Sequence, residues 1–353
     1  MLYEKQKNDI VRCLACRRKC LIAKDSEGFC GVRRNVGGNL QLMVYGKAIA
    51  VNEDPIEKKP FYHFLPGTQI FSFGTFGCNF RCSFCQNWDI SQTLRLIKEK
   101  YKNPDLVRKA VDQTYEDGRK LSPEDGVKYC EEKNIPAIAY TYNEPTIFAE
   151  YAHDMGILAR KKGLKNVFVS NGYMSDECLE YMKDFCDAIN IDLKCFSEDF
   201  YVNTCGGTLH GVLETIEKAW KMGFWIEVTT LVIPDENDGS EELKSIAEFI
   251  AGVSKDIPWH VTAFHPDYKM TGKKTTPPET LEMAYEIGRA AGLKYVYMGN
   301  VFGAEHEDTL CPKCDKLLVE RIGMSCMMKN ILVDKKGRGK CPDCGEKIAG
   351  VWN

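Results

Sequence analysis

The sequence predicts an α/β fold: a partial, TIM-like (β/α) barrel with a small cysteine-rich segment before it and a zinc-ribbon-like domain after it. Three observations lead there. Short β-rich runs alternate with longer helical ones through the middle of the chain, the pattern of βα units on a parallel sheet. A length of 353 residues with 44% hydrophobic content can bury a core of barrel size. Cysteine spacing then marks off both ends, dividing the chain at residues 1–50, 51–305 and 306–353.

The expected strands cover 70–76, 137–142, 166–170, 188–193, 225–233, 260–264 and 295–298. Helical patterns fall between them at 144–162, 176–185, 211–222, 240–253 and 278–291. In barrels of this kind reactive groups gather at the C-terminal strand ends, so the residues just after each strand are the ones to inspect.

After the first strand the chain reads Cys78-Asn79-Phe80-Arg81-Cys82-Ser83-Phe84-Cys85. Three thiolates in one loop can hold three irons of a 4Fe-4S cluster, and with no fourth cysteine nearby the last iron stays open to a ligand. A plain zinc knuckle is the competing reading, but zinc usually brings its fourth ligand from short range. Near the start, Cys13, Cys16, Cys20 and Cys30 offer either a tetrahedral zinc site, the first reading, or a second iron–sulfur cluster. Near the end, Cys311, Cys314, Cys341 and Cys344 form two Cys-Pro-x-Cys knuckles that suggest a structural zinc ribbon, with Cys326 a spare.

Seventeen cysteines without a secretory apolar segment point to a cytoplasmic protein that uses thiols for metals rather than disulfides. No run approaches the roughly 18 apolar residues of a membrane span, so no membrane partner is expected. A net charge of -3, from Lys+Arg 47 against Asp+Glu 50, leaves no electrostatic footprint for nucleic acid.

Further strand ends supply Asn143 and Glu144, Asn171, Asp192 and Lys194, and His265. Asn143 and Glu144 either face the site or cap the helix that Pro145 begins. Asp192 and Lys194 share strand parity and project the same way, toward the barrel mouth or into an ion pair with each other. His265 ends the sixth strand and is the better active-site histidine, whereas His260 at its start is expected to be structural. Glu227, Thr229 and Thr230 lie among apolar neighbours on the fifth strand. Lys269, Lys273 and Lys274 could meet an anionic substrate, and Cys195 or Cys205 could exchange a hydrogen atom or simply pack as small hydrophobes.

The Cys78–Cys82–Cys85 spacing, with Phe84 before its last cysteine, resembles that of the radical S-adenosylmethionine (SAM) enzymes. The resemblance implies that SAM chelates the open iron through its amino and carboxylate groups. One electron, from a donor such as flavodoxin or ferredoxin, then cleaves it to a 5'-deoxyadenosyl radical that abstracts hydrogen from a substrate. It also implies site roles: Cys78, Cys82, Cys85 and His265 as catalytic, Glu144 as partner of the SAM ammonium, and Phe84, Asn143, Asn171, Asp192 and Lys194 as further cofactor contacts.

The runs Glu57-Lys58-Lys59-Pro60-Phe61-Tyr62-His63-Phe64, Tyr142-Asn143-Glu144-Pro145-Thr146, Ser170-Asn171-Gly172-Tyr173, Asp192-Leu193-Lys194 and Phe264-His265-Pro266-Asp267-Tyr268-Lys269-Met270 narrow the resemblance. Together, over about residues 10–305, they resemble the radical SAM protein of the AmmeMemoRadiSam system, a branch similar to pyruvate formate-lyase activating enzyme. That branch implies glycyl-radical activation of a partner enzyme, or Memo-type and AMMECR-type partner proteins, with the substrate a protein or a small molecule. Two other function classes stay open on the sequence: radical SAM modification of RNA or another macromolecule, and a noncatalytic metal-binding interaction protein.

Overall fold

Apolar runs bounded by turn residues become parallel strands: β1 (Gln69–Gly74), β2 (Ala137–Tyr140), β3 (Lys165–Ser170), β4 (Ala188–Asp192), β5 (Trp225–Val232), β6 (Trp259–Ala263) and β7 (Val296–Gly299). The computed structural model describes residues 1–301, 303 and 306–353. The expected boundary at 305 lies outside them. Every residue of β2 and of β6 is buried, as strands covered on both faces must be.

The helices are α1 (Thr93–Lys100), α2 (Pro104–Glu116), α3 (Pro123–Lys133), α4 (Ala149–Lys161), α5 (Asp176–Met182), α6 (Leu209–Lys221), α7 (Ser240–Val253) and α8 (Pro278–Ala290), with side-chain caps at Asn103, Ser122 and Ser175 opening α2, α3 and α5. Ser122 and Asp125 close a reciprocal capping box on α3, with Pro123 at its first position, and Asn134 ends the helix in the left-handed conformation. The expected helix over 144–162 instead opens as a 3-10 turn, Pro145–Phe148, before α4 begins. The strand expected to reach 142 stops at Tyr140, because Tyr142 takes φ 69°.

The chain forms two compact units, each assembled from three segments. The first comprises Met1–Glu53, Ile70–Asp187 and Thr204–Thr215. In it β2 pairs in parallel with both β1 and β3. An aromatic ladder fills its core, with ring centroids 5.4 Å apart for Phe73–Tyr140, 5.1 Å for Tyr140–Phe168 and 5.8 Å for Phe168–Phe185. Short antiparallel strands Tyr3–Lys5, Val11–Cys13 and Leu21–Ile22 form the amino-terminal sheet, with Cys13 ending the second strand and Cys16 and Cys20 between the second and the third. A buried Arg33–Glu150 ion pair fastens that segment to α4, and Glu150 Oε1 also accepts from the Leu2 amide at 2.9 Å.

The second unit comprises Asp54–Gln69, Ala188–Asn203 and Ile216–Asn353. Its strands β4, β5, β6 and β7 run parallel in that order. Buried Glu227 on β5 accepts from the amides of Tyr62 and His63, both at 2.9 Å, and pairs with His260 Nε2 at 2.7 Å. Cys311, Cys341 and Trp352 share a buried cluster with Tyr62, Tyr295 and Tyr297, so the cysteine knuckles are part of this core. Among the described residues no helix is long and apolar enough to cross a membrane.

Candidate functional site

The cysteine loop is held by close backbone contacts that only glycine permits. A Cβ on Gly74, the last residue of β1, would lie 2.5 Å from the Thr141 carbonyl oxygen. Gly77 takes φ 87°, and a Cβ there would lie 2.4 Å from the Cys30 carbonyl oxygen. Between these two glycines Asn143 acts as a clamp: its Oδ1 accepts from the Thr75 amide at 3.0 Å, and its Nδ2 donates to Thr75 Oγ1 at 3.1 Å and to the Gly77 carbonyl at 2.8 Å.

Cys78, Cys82 and Cys85 follow. The outer part of the loop lies along residues 204–205, with the Arg81 amide donating to the Cys205 carbonyl at 2.7 Å and the Ser83 amide to that of Thr204 at 3.1 Å. Asn87 Nδ2 donates to the Tyr142 carbonyl at 2.9 Å, and Cys85 Sγ lies 3.2 Å from Ser91 Oγ. Cys82 and Phe84 are buried.

Glu144 is the buried carboxylate of this site. Its Oε1 accepts from the Thr146 amide at 3.0 Å, from the Thr146 hydroxyl and from Ser170 Oγ at 2.8 Å, while Oε2 accepts from the Asn171 amide at 2.7 Å. Three donors thus crowd Oε1 and only one meets Oε2, so Oε2 is the oxygen with room for a further donor. The helix-cap role is thus real, and it does not exhaust the group. Asn171 Nδ2 in turn donates to Asn79 Oδ1 at 2.8 Å and sits 4.0 Å from Cys78 Sγ.

Burial, followed by the nearby Glu144 charge, pushes the Cys78 thiol well above its ordinary range, and burial raises Glu144 as well. Two groups that become anions only at a cost sit side by side, which is the electrostatic demand for a cation between or beside them. Among the described residues, the group of three or more ligand atoms lying within 4.8 Å of one another is Cys311, Cys314, Cys341 and Cys344. The loop sulfurs are not drawn in to single-ion spacing. Three thiolates that each take a separate iron need that wider spread, so the donor set fits a polynuclear cluster.

The carboxy-terminal quartet has the opposite geometry. Sulfur–sulfur separations are 3.5 Å for Cys311–Cys344 and 3.7 Å for Cys314–Cys341. A tetrahedral ion with bonds of about 2.3 Å to sulfur spaces its ligands about 3.8 Å apart. Burial pushes the Cys341 thiol up, but the backbone amides of Cys344 and Asp343 outweigh it and bring it to about 7. Cys326 stays outside this group and packs its Cβ against Gly67.

Several further candidates belong to the second unit. Asp192 ends β4 and takes an ion pair with Lys194 Nζ at 2.8 Å. His265 lies beyond β6 on an exposed stretch. Lys273 pairs with Glu236 at 2.9 Å, and Cys195 Sγ donates to Glu242 Oε1 at 2.9 Å. Sequence reasoning passed over Ser170, Asn79 and Thr75. Ser170 carried a signal, a short polar side chain at a strand end, whereas Asn79 and Thr75 act through contacts that spacing does not reveal.

A three-cysteine loop on the end of a parallel strand, closed by a buried glutamate on the next strand end, defines an iron–sulfur α/β enzyme. The Radical SAM superfamily model matches residues 73–250, and the chain belongs to that superfamily. It is 43% identical over 349 residues to an uncharacterized protein of Methanocaldococcus jannaschii, covering 99% of this chain and 98% of that protein. A second protein of that organism, described as a candidate glycyl-radical enzyme activating enzyme, is 24% identical over 194 residues, 54% of this chain and 65% of its own length. Among solved structures, a domain of a pyruvate-formate lyase-activating enzyme from Bacteroides vulgatus aligns at TM-score 0.42 and 18% identity, over 46% of this chain and 98% of that one.

Proposed function

We propose that Cys78, Cys82 and Cys85 hold three irons of a 4Fe-4S cluster and leave the fourth to S-adenosylmethionine, and that the reaction removes a hydrogen atom from a substrate. The observation that carries this reading is the loop itself, tethered by Gly74, Gly77 and Asn143, with Cys78 beside Glu144 and Asn171. When bound, the cluster and SAM supply a 5'-deoxyadenosyl radical, on a single electron from a low-potential donor such as flavodoxin or ferredoxin. Glu144 Oε2 offers its remaining lone pair to the SAM ammonium. Asn171 fixes both that carboxylate and Asn79 beside Cys78, and Asn143 keeps the loop in register with β1.

Glycyl-radical enzyme activation is the specific version of this activity, and AmmeMemoRadiSam the branch. Support comes from the candidate activating enzyme among the relatives and from the combined motif runs at 57–64, 142–146, 170–173 and 264–270. Zinc is the ion proposed for the Cys311, Cys314, Cys341 and Cys344 quartet, on the tetrahedral sulfur spacing.

The test is anaerobic reconstitution, reduction in the presence of SAM, and chromatographic detection of 5'-deoxyadenosine, run beside a variant with Cys78→Ala, Cys82→Ala and Cys85→Ala. Product from the natural protein alone is the expected result. Equal product from the triple variant would remove the loop from the chemistry.

A further inference from the structure

The amino-terminal cysteines are where this chain carries chemistry that the SAM site does not absorb. Cys13, Cys16, Cys20 and Cys30 together line one small cleft, with Arg18, Phe29, Arg33 and Asn79 on the same wall. Four thiols converging on one cleft are a ligand set, and the question is for what.

Spacing answers it, because the chain contains its own reference. At Cys311, Cys314, Cys341 and Cys344 four sulfurs close to within 4.8 Å of one another, as one tetrahedral ion requires. The amino-terminal four line a common cleft but are not drawn in to that spacing. Thiolates around a cleft, each reaching a different metal atom, suit a polynuclear centre rather than a single zinc.

The lining supports the same conclusion. Arg33, fully buried and fixed by Glu150, points Nη1 to 3.9 Å from Cys13 Sγ. Arg18 lies over the Phe29 ring at 3.5 Å and donates through Nε to the Asn79 carbonyl at 2.7 Å. Asn79 is itself fully buried, and its Nδ2 has no hydrogen-bond partner among the described residues. A buried donor needs an acceptor, and a cluster sulfide would be one.

We propose that Cys13, Cys16, Cys20 and Cys30 bind a second 4Fe-4S cluster, fully ligated by cysteine, and not zinc. It lies back to back with the loop that holds the first. Asn79 borders this cleft and adjoins Cys78, and the Cys30 carbonyl is the atom that forbids a side chain at Gly77.

The experiment is a metal count on the full-length protein, produced with iron and zinc both supplied and then reconstituted anaerobically with ferrous iron and sulfide. About eight irons and one zinc per chain are expected, the zinc at the carboxy-terminal quartet. A Cys20→Ser, Cys30→Ser variant and the loop triple variant should each retain about four irons, and only in the former should the electron paramagnetic resonance signal of the reduced protein respond to SAM. About four irons in the natural protein, with either one zinc or two, overturns the proposal without reliance on any variant. A Cys20→Ser, Cys30→Ser variant that keeps every iron overturns it as well. Full iron in the loop triple variant would instead defeat the reading of the SAM loop and leave this site standing.

Discussion

At the residue scale, the Glu144 carboxylate is a scaffold group to which we assign a second role, as partner of the SAM ammonium. Three donors occupy Oε1 and one occupies Oε2, so Glu144→Gln keeps the shape but turns an acceptor into an amide that faces Asn171 or the SAM ammonium. A charge-assisted hydrogen bond is worth about 1.5–3 kcal/mol, so SAM affinity should fall by roughly tenfold or more while iron content stays constant. Anaerobic calorimetric titration of SAM reads this directly, and unchanged affinity would leave Glu144 a helix cap only. Gly77 makes the second residue-level case. Alanine at φ 87° costs about 1–2 kcal/mol before the clash with the Cys30 carbonyl is counted. Gly77→Ala should therefore lower the thermal midpoint and the iron retained per chain. A variant as stable and as iron-rich as the natural protein would show that the loop relaxes around the added methyl.

At the element scale, what holds the cysteine loop is the end of β2 rather than the loop itself. Asn143 supplies four bonds to residues 75–77, and removing it leaves the Thr75 amide and the Gly77 carbonyl buried and unpaired. Asn143→Ala should keep the secondary structure, read by far-ultraviolet circular dichroism, yet lose cluster absorbance within a few cycles of gel filtration. Stable absorbance would mean that Gly74 and Gly77 suffice. The strands were largely legible in the sequence because each is a short apolar run bounded by turn residues, and β5 and β6 ended within one residue of expectation. The amino-terminal strands were not, since elements of two or three residues such as Leu21–Ile22 are too short to show a period. The 3-10 turn at Pro145–Phe148 was also hidden, because its side chains carry the apolar pattern of the helix that follows. For the site, the cysteines and Glu144 could be read from spacing and strand ends. The Asn79 and Asn143 contacts arise from tertiary packing and leave no local signature.

At the scale of the whole molecule, the second unit is tuned to neutral pH by a buried polar network. The His63 ring must donate from Nδ1 to the Ala349 carbonyl, 2.6 Å away, and so accepts from Tyr297 at Nε2. Burial, opposed by Glu227, pushes His63 from its ordinary 6.5 down to about 4. Because the folded value lies below the unfolded one, the unfolded chain takes up the proton first as pH falls. Stability is full above about pH 6.5 and declines toward pH 4, by about 3 kcal/mol for this group alone. Glu227, also held below its ordinary range, adds a loss of the same sign at lower pH. The urea midpoint should fall steadily from pH 7 to pH 5, and His63→Gln should flatten that slope; an equally steep slope in the variant would assign the titration elsewhere. The carboxy-terminal quartet stabilises the same unit, since Cys311 and Cys341 pack with Tyr62 and Tyr297. Cys341→Ser should release the bound metal and lower the thermal midpoint, measured by elemental analysis and calorimetry on one sample, and unchanged metal content would reject the quartet as a site.

The interleaving of the two units bears on how the chain is made. Phe61, Tyr62 and Phe64 are fully or almost fully buried, yet the Tyr62 amide waits for Glu227, 165 residues later, and the Leu65 amide for Val351. At about 5–20 residues per second on the ribosome, that first interval alone lasts on the order of ten seconds or more. Through it an aromatic segment stands outside the exit tunnel with no completed partner. Contacts this distant in sequence also slow folding after release. The segment that later anchors the second unit is thus the one most exposed to self-association during synthesis, and the one a nascent-chain chaperone would be expected to cover.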